Sequence, residues 1–230
     1  MRDFLCNSQY FGVAVCIIGY GLGMYLRKKL RWPFLNPLLV SILFVIIVVQ
    51  AAGVDYESFN QSAKYLSYLL TPATVCLAIP LYQQIRVLRE HFAAVILGII
   101  AGVLSSLGSV LGLAYLFGLN HTYYVTLLPK SITTAIGMGI SGELGGITTI
   151  TVAVIVVTGV IGNIVGEQVC KLFRISDPVA VGLALGTSAH AIGTTKALEL
   201  GEVQGAMSSL SIAVAGLLTV IGASVFANFL

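Results

Sequence analysis

Charge in this sequence is confined to short clusters, and the stretches between them are apolar for the length of a membrane. No Asp, Glu, Lys or Arg falls between Asp3 and Arg27, within Pro33–Val54, or within Phe92–Gly118. A helix needs roughly 20 apolar residues to cross a hydrocarbon core of about 30 Å, and every backbone polar group must be paired within it. A chain with this pattern folds as a set of spanning helices. Of 230 residues, 57% are hydrophobic and only 9% are charged, against about 25% charged in a soluble domain. Its 25 glycines suit close-packed membrane helices. These figures exclude a soluble enzyme, a nucleic-acid binder, a disordered linker and a disulfide scaffold. Cys6, Cys16, Cys76 and Cys170 lie in or beside apolar runs without metal-ligand spacing, so no metal site and no cofactor is expected.

Phe11–Leu26 reads as the first span. Arg27, Lys28, Lys29 and Arg31 follow it, whereas a signal peptide carries its positive charge before the apolar stretch. The segment is therefore expected to be retained, with the basic cluster in the cytoplasm and the N-terminus outside. Pro33–Val54 returns outward to Asp55 and Glu57. Tyr65–Ile85 is interrupted by Pro72 and Pro80, each of which removes a backbone donor. It reads as a broken helix that ends inside at Arg86, Arg89, Glu90 and His91. Phe92–Gly118, Leu144–Phe173 and Val203–Leu230 complete the long spans. Two segments, Tyr123–Glu143 and Val179–Glu202, differ from all of these. They concentrate Ser, Thr and Gly together with Lys130, Glu143, His190, Lys196 and Glu199, a load that must face protein or a water-filled cavity.

The two polar segments match at an offset of 56. Ala135-Ile136-Gly137 and Glu143-Leu144-Gly145 recur as Ala191-Ile192-Gly193 and Glu199-Leu200-Gly201, with Ser131 opposite Thr187. The repeat motifs are 123–173 and 179–230. Many transporters are built from such repeats, with the site at their interface near the midplane. Lys171 and Arg174 lie between the two polar segments and favour the cytoplasm. The first copy then dips in from outside and the second from inside. The expected fold is an all-α polytopic membrane protein with inverted structural repeats, whose discontinuous or re-entrant helices meet near the membrane midplane.

In the first copy Pro129 suits a helix start, and Lys130, Ser131, Thr133 and Thr134 follow it. The second offers Ser188, His190, Gly193, Thr194, Thr195 and Lys196. Opposed helix N-termini present unpaired N–H groups and positive dipole ends to an anion. Lysine and histidine add charge-assisted donors, and the hydroxyls add orientation. These ten residues are the candidate binding set for a small carboxylate bearing a hydroxyl or keto group. Glu143 and Glu199, with His190, are candidates for proton or charge relay. The bland alternative is packing: small and hydroxylated residues also let membrane helices approach closely, and lysines snorkel to the interface. Gly139-Ile140-Ser141-Gly142 matches a short intramembrane serine protease pattern. However, Ser141 is opposed by Ala197 in the second copy, and no catalytic site is expected.

Nearly the whole chain from Leu35 onward resembles the LrgB/CidB family of bacterial membrane proteins. The resemblance is carried by Asn36-Pro37-Leu38-Leu39, Ala78-Ile79-Pro80-Leu81-Tyr82, Leu128-Pro129-Lys130-Ser131 through Thr134, and above all Gly182 through His190 running into Gly193-Thr194 and Ala197-Leu198-Glu199-Leu200. Ala135 stands where the family often has Pro, and Lys196 where Arg is common. The resemblance implies a single LrgB-like transmembrane domain over 1–230 in the bacterial cytoplasmic (inner) membrane, a homo-oligomer with a small holin-like membrane subunit as a further partner, and no nucleic acid. It also implies two functions. One is an antiholin-like regulator of murein hydrolase export and autolysis. The other is a transporter of small monocarboxylates such as glycolate or pyruvate, since the family is similar to the C-terminal half of the plastid glycolate/glycerate transporter; the relay candidates Glu143, Glu199 and His190 would couple it to protons. The buried Lys, His and Glu of the repeat side with transport.

Overall fold

The structure, a computed structural model, describes residues 8–30 and 36–230. Asp3, Cys6, Arg31 and the first residues of Pro33–Val54 lie outside the described residues. Those that are described form helices and connections, without strands. They fall into two compact units, one ending at Cys76 and the other beginning at Leu77.

The first unit holds α1 (Phe11–Leu30), α2 (Pro37–Ala52), α3 (Tyr56–Tyr68) and α4 (Leu70–Cys76). Helix α1 runs past the expected end at Leu26, because Arg27, Lys28 and Lys29 occupy its last turn, where cations oppose the negative end of the helix dipole. One edge of α1 is glycine. A Cβ on Gly23 would lie 2.6 Å from the Pro37 carbonyl oxygen, and the Gly12 N–H donates to Ser62 Oγ at 2.9 Å. Asn36 caps α2 by accepting from the Leu38 N–H at 2.8 Å, and Gly53 ends it at φ 62°, the left-handed position glycine tolerates best.

The second unit holds α5 (Ala78–Gln83), α6 (Ile85–Glu90), α7 (Phe92–Phe117), α8 (His121–Leu127), α9 (Thr134–Glu143), α10 (Thr148–Leu172), α11 (Pro178–Leu200) and α12 (Glu202–Phe226), closed by a 3-10 turn at Ala227–Phe229. The interrupted stretch Tyr65–Ile85 is shared among α3, α4, α5 and α6. Pro72 and Pro80 are each the third residue of a short helix, where the missing N–H has no intrahelical acceptor. Among the described residues three helices are long and apolar enough to cross a membrane: Phe92–Phe117, Thr148–Leu172 and Glu202–Phe229. Helix α7 buries Val95, Ile99, Val103, Leu107, Val110 and Ala114 along one stripe, packed in one core with Ala206, Met207, Ala215 and Ala223 of α12. Lipid is as apolar as these side chains, so close packing rather than escape from water holds such a seam. The seam of α11 on α12 is close: a Cβ on Gly186 would lie 2.6 Å from the Ser208 carbonyl oxygen.

The sequence repeat has a structural counterpart. The first copy is α8, a break at Leu128–Thr133, and α9. The second is α11, broken at Ala189 and His190. Each begins on an acceptor that caps its first turn, Asn120 to the Tyr123 N–H at 3.0 Å and Asp177 to the Ala180 N–H at 2.9 Å. Each leads into a helix of 25 residues, α10 or α12. The joint between α9 and α10 is a buried hydroxyl network. Thr151 Oγ1 reaches Ser141 Oγ at 2.7 Å and the Thr126 carbonyl at 2.9 Å, while Thr126 Oγ1 accepts from the Ile147 N–H at 2.8 Å. At the same offset of 56 the second copy has Gly182, Ala197 and Met207, all buried. The positions that carry hydroxyls in the first joint are apolar in the second, where Thr194 and Ser208 pair instead, and the protease-like Ser141 belongs to the first.

Candidate functional site

Pro129 does not start a helix as its position suggested. Lacking an N–H, it interrupts the hydrogen-bond ladder after α8, and the chain crosses a loose turn before Thr133, at φ −60° and ψ 134°, opens α9. The break leaves Lys130 and Ser131 side by side, with Lys130 Nζ donating to Ser131 Oγ at 2.9 Å. From α7, Ser106 Oγ donates to the same oxygen at 3.1 Å. Backbone freed from a helix inside a spanning segment is tolerated where it is buried in protein or lines a cavity.

A cavity of about 800 Å³ lies here. One wall is α7, from Ala94 through Gly98 and Gly102 to Ser109, and another is the first half of α11, from Val179 to Ser188; Lys130 and Ser131 complete it. From Ala94 to Ser109 it follows α7 for about 22 Å at 1.5 Å per residue. His91 and Asp177 line it at the starts of α7 and α11. The two walls approach through glycine: a Cβ on Gly102 would lie 2.8 Å from Thr187 Oγ1, and one on Gly98 3.1 Å from Leu183.

The remaining candidates separate from this cavity. His190 is 3% exposed, and its Nε2 lies 3.0 Å from the Ile155 carbonyl oxygen. A carbonyl only accepts, so Nε2 carries the proton. The ring sits in a notch at Gly159, where a Cβ would come within 2.7 Å. Thr194 Oγ1, also buried, donates to the His190 carbonyl at 3.0 Å and shares a hydrogen bond with Ser208 Oγ at 2.7 Å. Gly193 is buried inside the kink, where a Cβ would lie 2.6 Å from the Leu185 carbonyl oxygen. Thr195 Oγ1 donates to the Ile192 carbonyl at 2.7 Å, and Asn163 of α10 donates to both at 2.9 and 2.7 Å. Lys196 is ion-paired with Glu167 of α10 at 2.7 Å and with Glu199 at 3.6 Å, and Glu167 also holds Lys171 at 2.6 Å. Thr133 and Thr134 are half-buried at the start of α9, and Glu143 is exposed at its end. Of the ten, Lys130, Ser131 and Ser188 meet in one cavity. His190, Thr194, Thr195 and Lys196 instead clamp the second half of α11 to its neighbours, and Gly193 packs within its kink.

Two features were missed from sequence. Ser106 sits in an apolar span, and only the cluster Ser105, Ser106 and Ser109 marked that face. Glu167 stands four residues before Lys171 on α10, but its other partner, Lys196, comes from a different helix. Among the described residues no group of His, Cys, Asp and Glu is arranged to hold a metal ion.

Residues 16–229 match the LrgB-like family. Proteins named antiholin-like protein LrgB from Bacillus mycoides, Bacillus cereus and Bacillus anthracis are each 36% identical to this chain over 224 residues, covering 97% of it and 97% of their own length. No solved structure matches the chain. With its apolar helices, its broken repeat and a match over nearly its whole length, this chain is a membrane protein of the LrgB family.

Proposed function

We propose that this protein works in the bacterial cytoplasmic membrane, N-terminus outside, as an antiholin-like regulator of murein hydrolase export and autolysis, as a homo-oligomer with a small holin-like partner. The end-to-end likeness to proteins of that name carries this reading.

A second reading supplies the means of regulation and is favoured by the cavity at Lys130: the protein moves a small monocarboxylate such as glycolate or pyruvate, with a proton. An ammonium group and hydroxyls converge where a helix is broken beside the apolar span α7. Such a site suits a small anion, because ammonium and hydroxyl protons favour a carboxylate and the apolar walls strengthen the attraction. The two copies of the repeat are inverted in this reading. Lys196, with Glu167 and Glu199, then acts on the fold around the site rather than on the solute. Carboxylate and proton flux alter the state of the cell envelope, and lysis responds to that change.

The two readings separate in a strain lacking its own family member. Wild-type protein is expected to lower autolysis, and Lys130→Ala, present in the membrane at equal amount, to fail. If Lys130→Ala protects fully, regulation does not run through the cavity. If the wild-type protein leaves lysis unchanged, the regulator reading falls.

A further inference from the structure

The hydroxyls around the cavity differ in the direction of their protons. Thr187 and Ser188 donate to the Leu183 and Ala184 carbonyls one turn back, at 2.8 and 2.6 Å, and Ser109 donates to the Ser106 carbonyl at 2.8 Å. A hydroxyl has one proton and two lone pairs, so these three present lone pairs. Ser131 is the reverse case. Its Oγ accepts from Lys130 Nζ at 2.9 Å and from Ser106 Oγ at 3.1 Å. With both lone pairs engaged, the group it has left is its proton. Ser131 is 6% exposed and lines the cavity.

We propose that Ser106 is a positioning residue: by donating to Ser131 Oγ from α7, it holds the Ser131 proton toward the bound carboxylate. Lys130 and Ser131 together then offer the solute donors only. Without the Ser106 hydroxyl, one lone pair of Ser131 is released and its proton is free to turn away. Ser106 itself need not touch the solute. The inference rests on the transport reading of the same cavity.

The test is uptake of labelled pyruvate and glycolate into proteoliposomes by the full chain. Variants are Ser106→Val, Ser106→Thr, Ser131→Ala and the double Ser106→Val/Ser131→Ala. Val and Thr have the same shape, and only Thr keeps the hydroxyl. Ser106→Val is expected to raise KM about tenfold with the maximal rate within about twofold, the loss of one hydrogen bond to a charged group. Ser106→Thr is expected to stay near wild type. The double variant is expected to be no worse than Ser131→Ala alone, since Ser106 acts through Ser131. The proposal is overturned if Val and Thr behave alike, or if the Ser106 and Ser131 effects multiply, while wild-type protein transports. Wild-type protein without saturable uptake overturns the transport reading itself and this inference with it.

Discussion

His190 shows how differently a residue reads from sequence and from structure. Its polarity in an apolar chain marked it as a candidate ligand or relay, yet its most unusual property is its backbone, at φ 42° and ψ −140°. That region belongs to glycine and costs other residues about 1–3 kcal/mol. The bond to the Ile155 carbonyl and the notch at Gly159 hold the residue there. His190→Ala keeps the backbone cost and loses the bond, whereas His190→Gly loses the bond but relieves the backbone. After allowing for glycine's looser unfolded chain, the Gly variant is expected to be about 1 kcal/mol more stable than the Ala variant, measured as unfolding in detergent micelles. A less stable Gly variant would contradict the strain. No side-chain type announces a positive φ, so this part of the kink was not legible in the sequence. The break at Lys130 and Ser131 was, because a lysine beside a proline in a Ser/Thr-rich segment between apolar spans calls for broken helix facing something polar.

Helices α10, α11 and α12 are held by two different devices. Where α11 meets α12 the device is close approach. Gly186→Ala sets a Cβ against the Ser208 backbone at 2.6 Å and is expected to cost about 1–3 kcal/mol. Gly112→Ala, with nothing within 4 Å, is expected to be neutral or slightly stabilising, as alanine is the better helix former. Equal effects in an unfolding assay would mean that the seam does not depend on glycine. Where α10 meets the second half of α11 the device is charge: Glu167 and Lys196 are 25% and 17% exposed. Lys196→Met strands Glu167 with only the outlying Lys171, and is expected to cost about 1–3 kcal/mol, between the values for exposed and buried pairs. Lys196→Met/Glu167→Gln is expected to recover most of that loss, and a double variant worse than the single would show that the pair does not act as a unit. The long helices and the two broken segments followed directly from apolar length and Ser/Thr/Gly density. Contacts between helices did not, since Lys171 reaches Glu167 at a spacing of four that sequence displays, while Lys196 arrives 29 residues further on.

For the whole molecule, the repeat motif seen at an offset of 56 corresponds to two broken segments, each followed by a 25-residue helix. Secondary structure repeats in both the inverted and the parallel arrangement, so sidedness has to be measured. Glu143→Cys and Glu199→Cys, each ending one copy, are expected to react with an impermeant thiol reagent from opposite faces of the membrane. Labelling from one face would overturn the inversion. The proposed transport runs through the cavity of about 800 Å³ at Lys130. Uptake of labelled glycolate, pyruvate and lactate into proteoliposomes, with and without a pH gradient, tests it most directly, run beside Lys130→Ala and a trapped dye. Saturable uptake by the wild-type protein, accelerated by the gradient and lost in Lys130→Ala while the dye stays inside, is the predicted result. Equal uptake by both proteins, or dye leakage without saturation, would contradict a carboxylate site at Lys130.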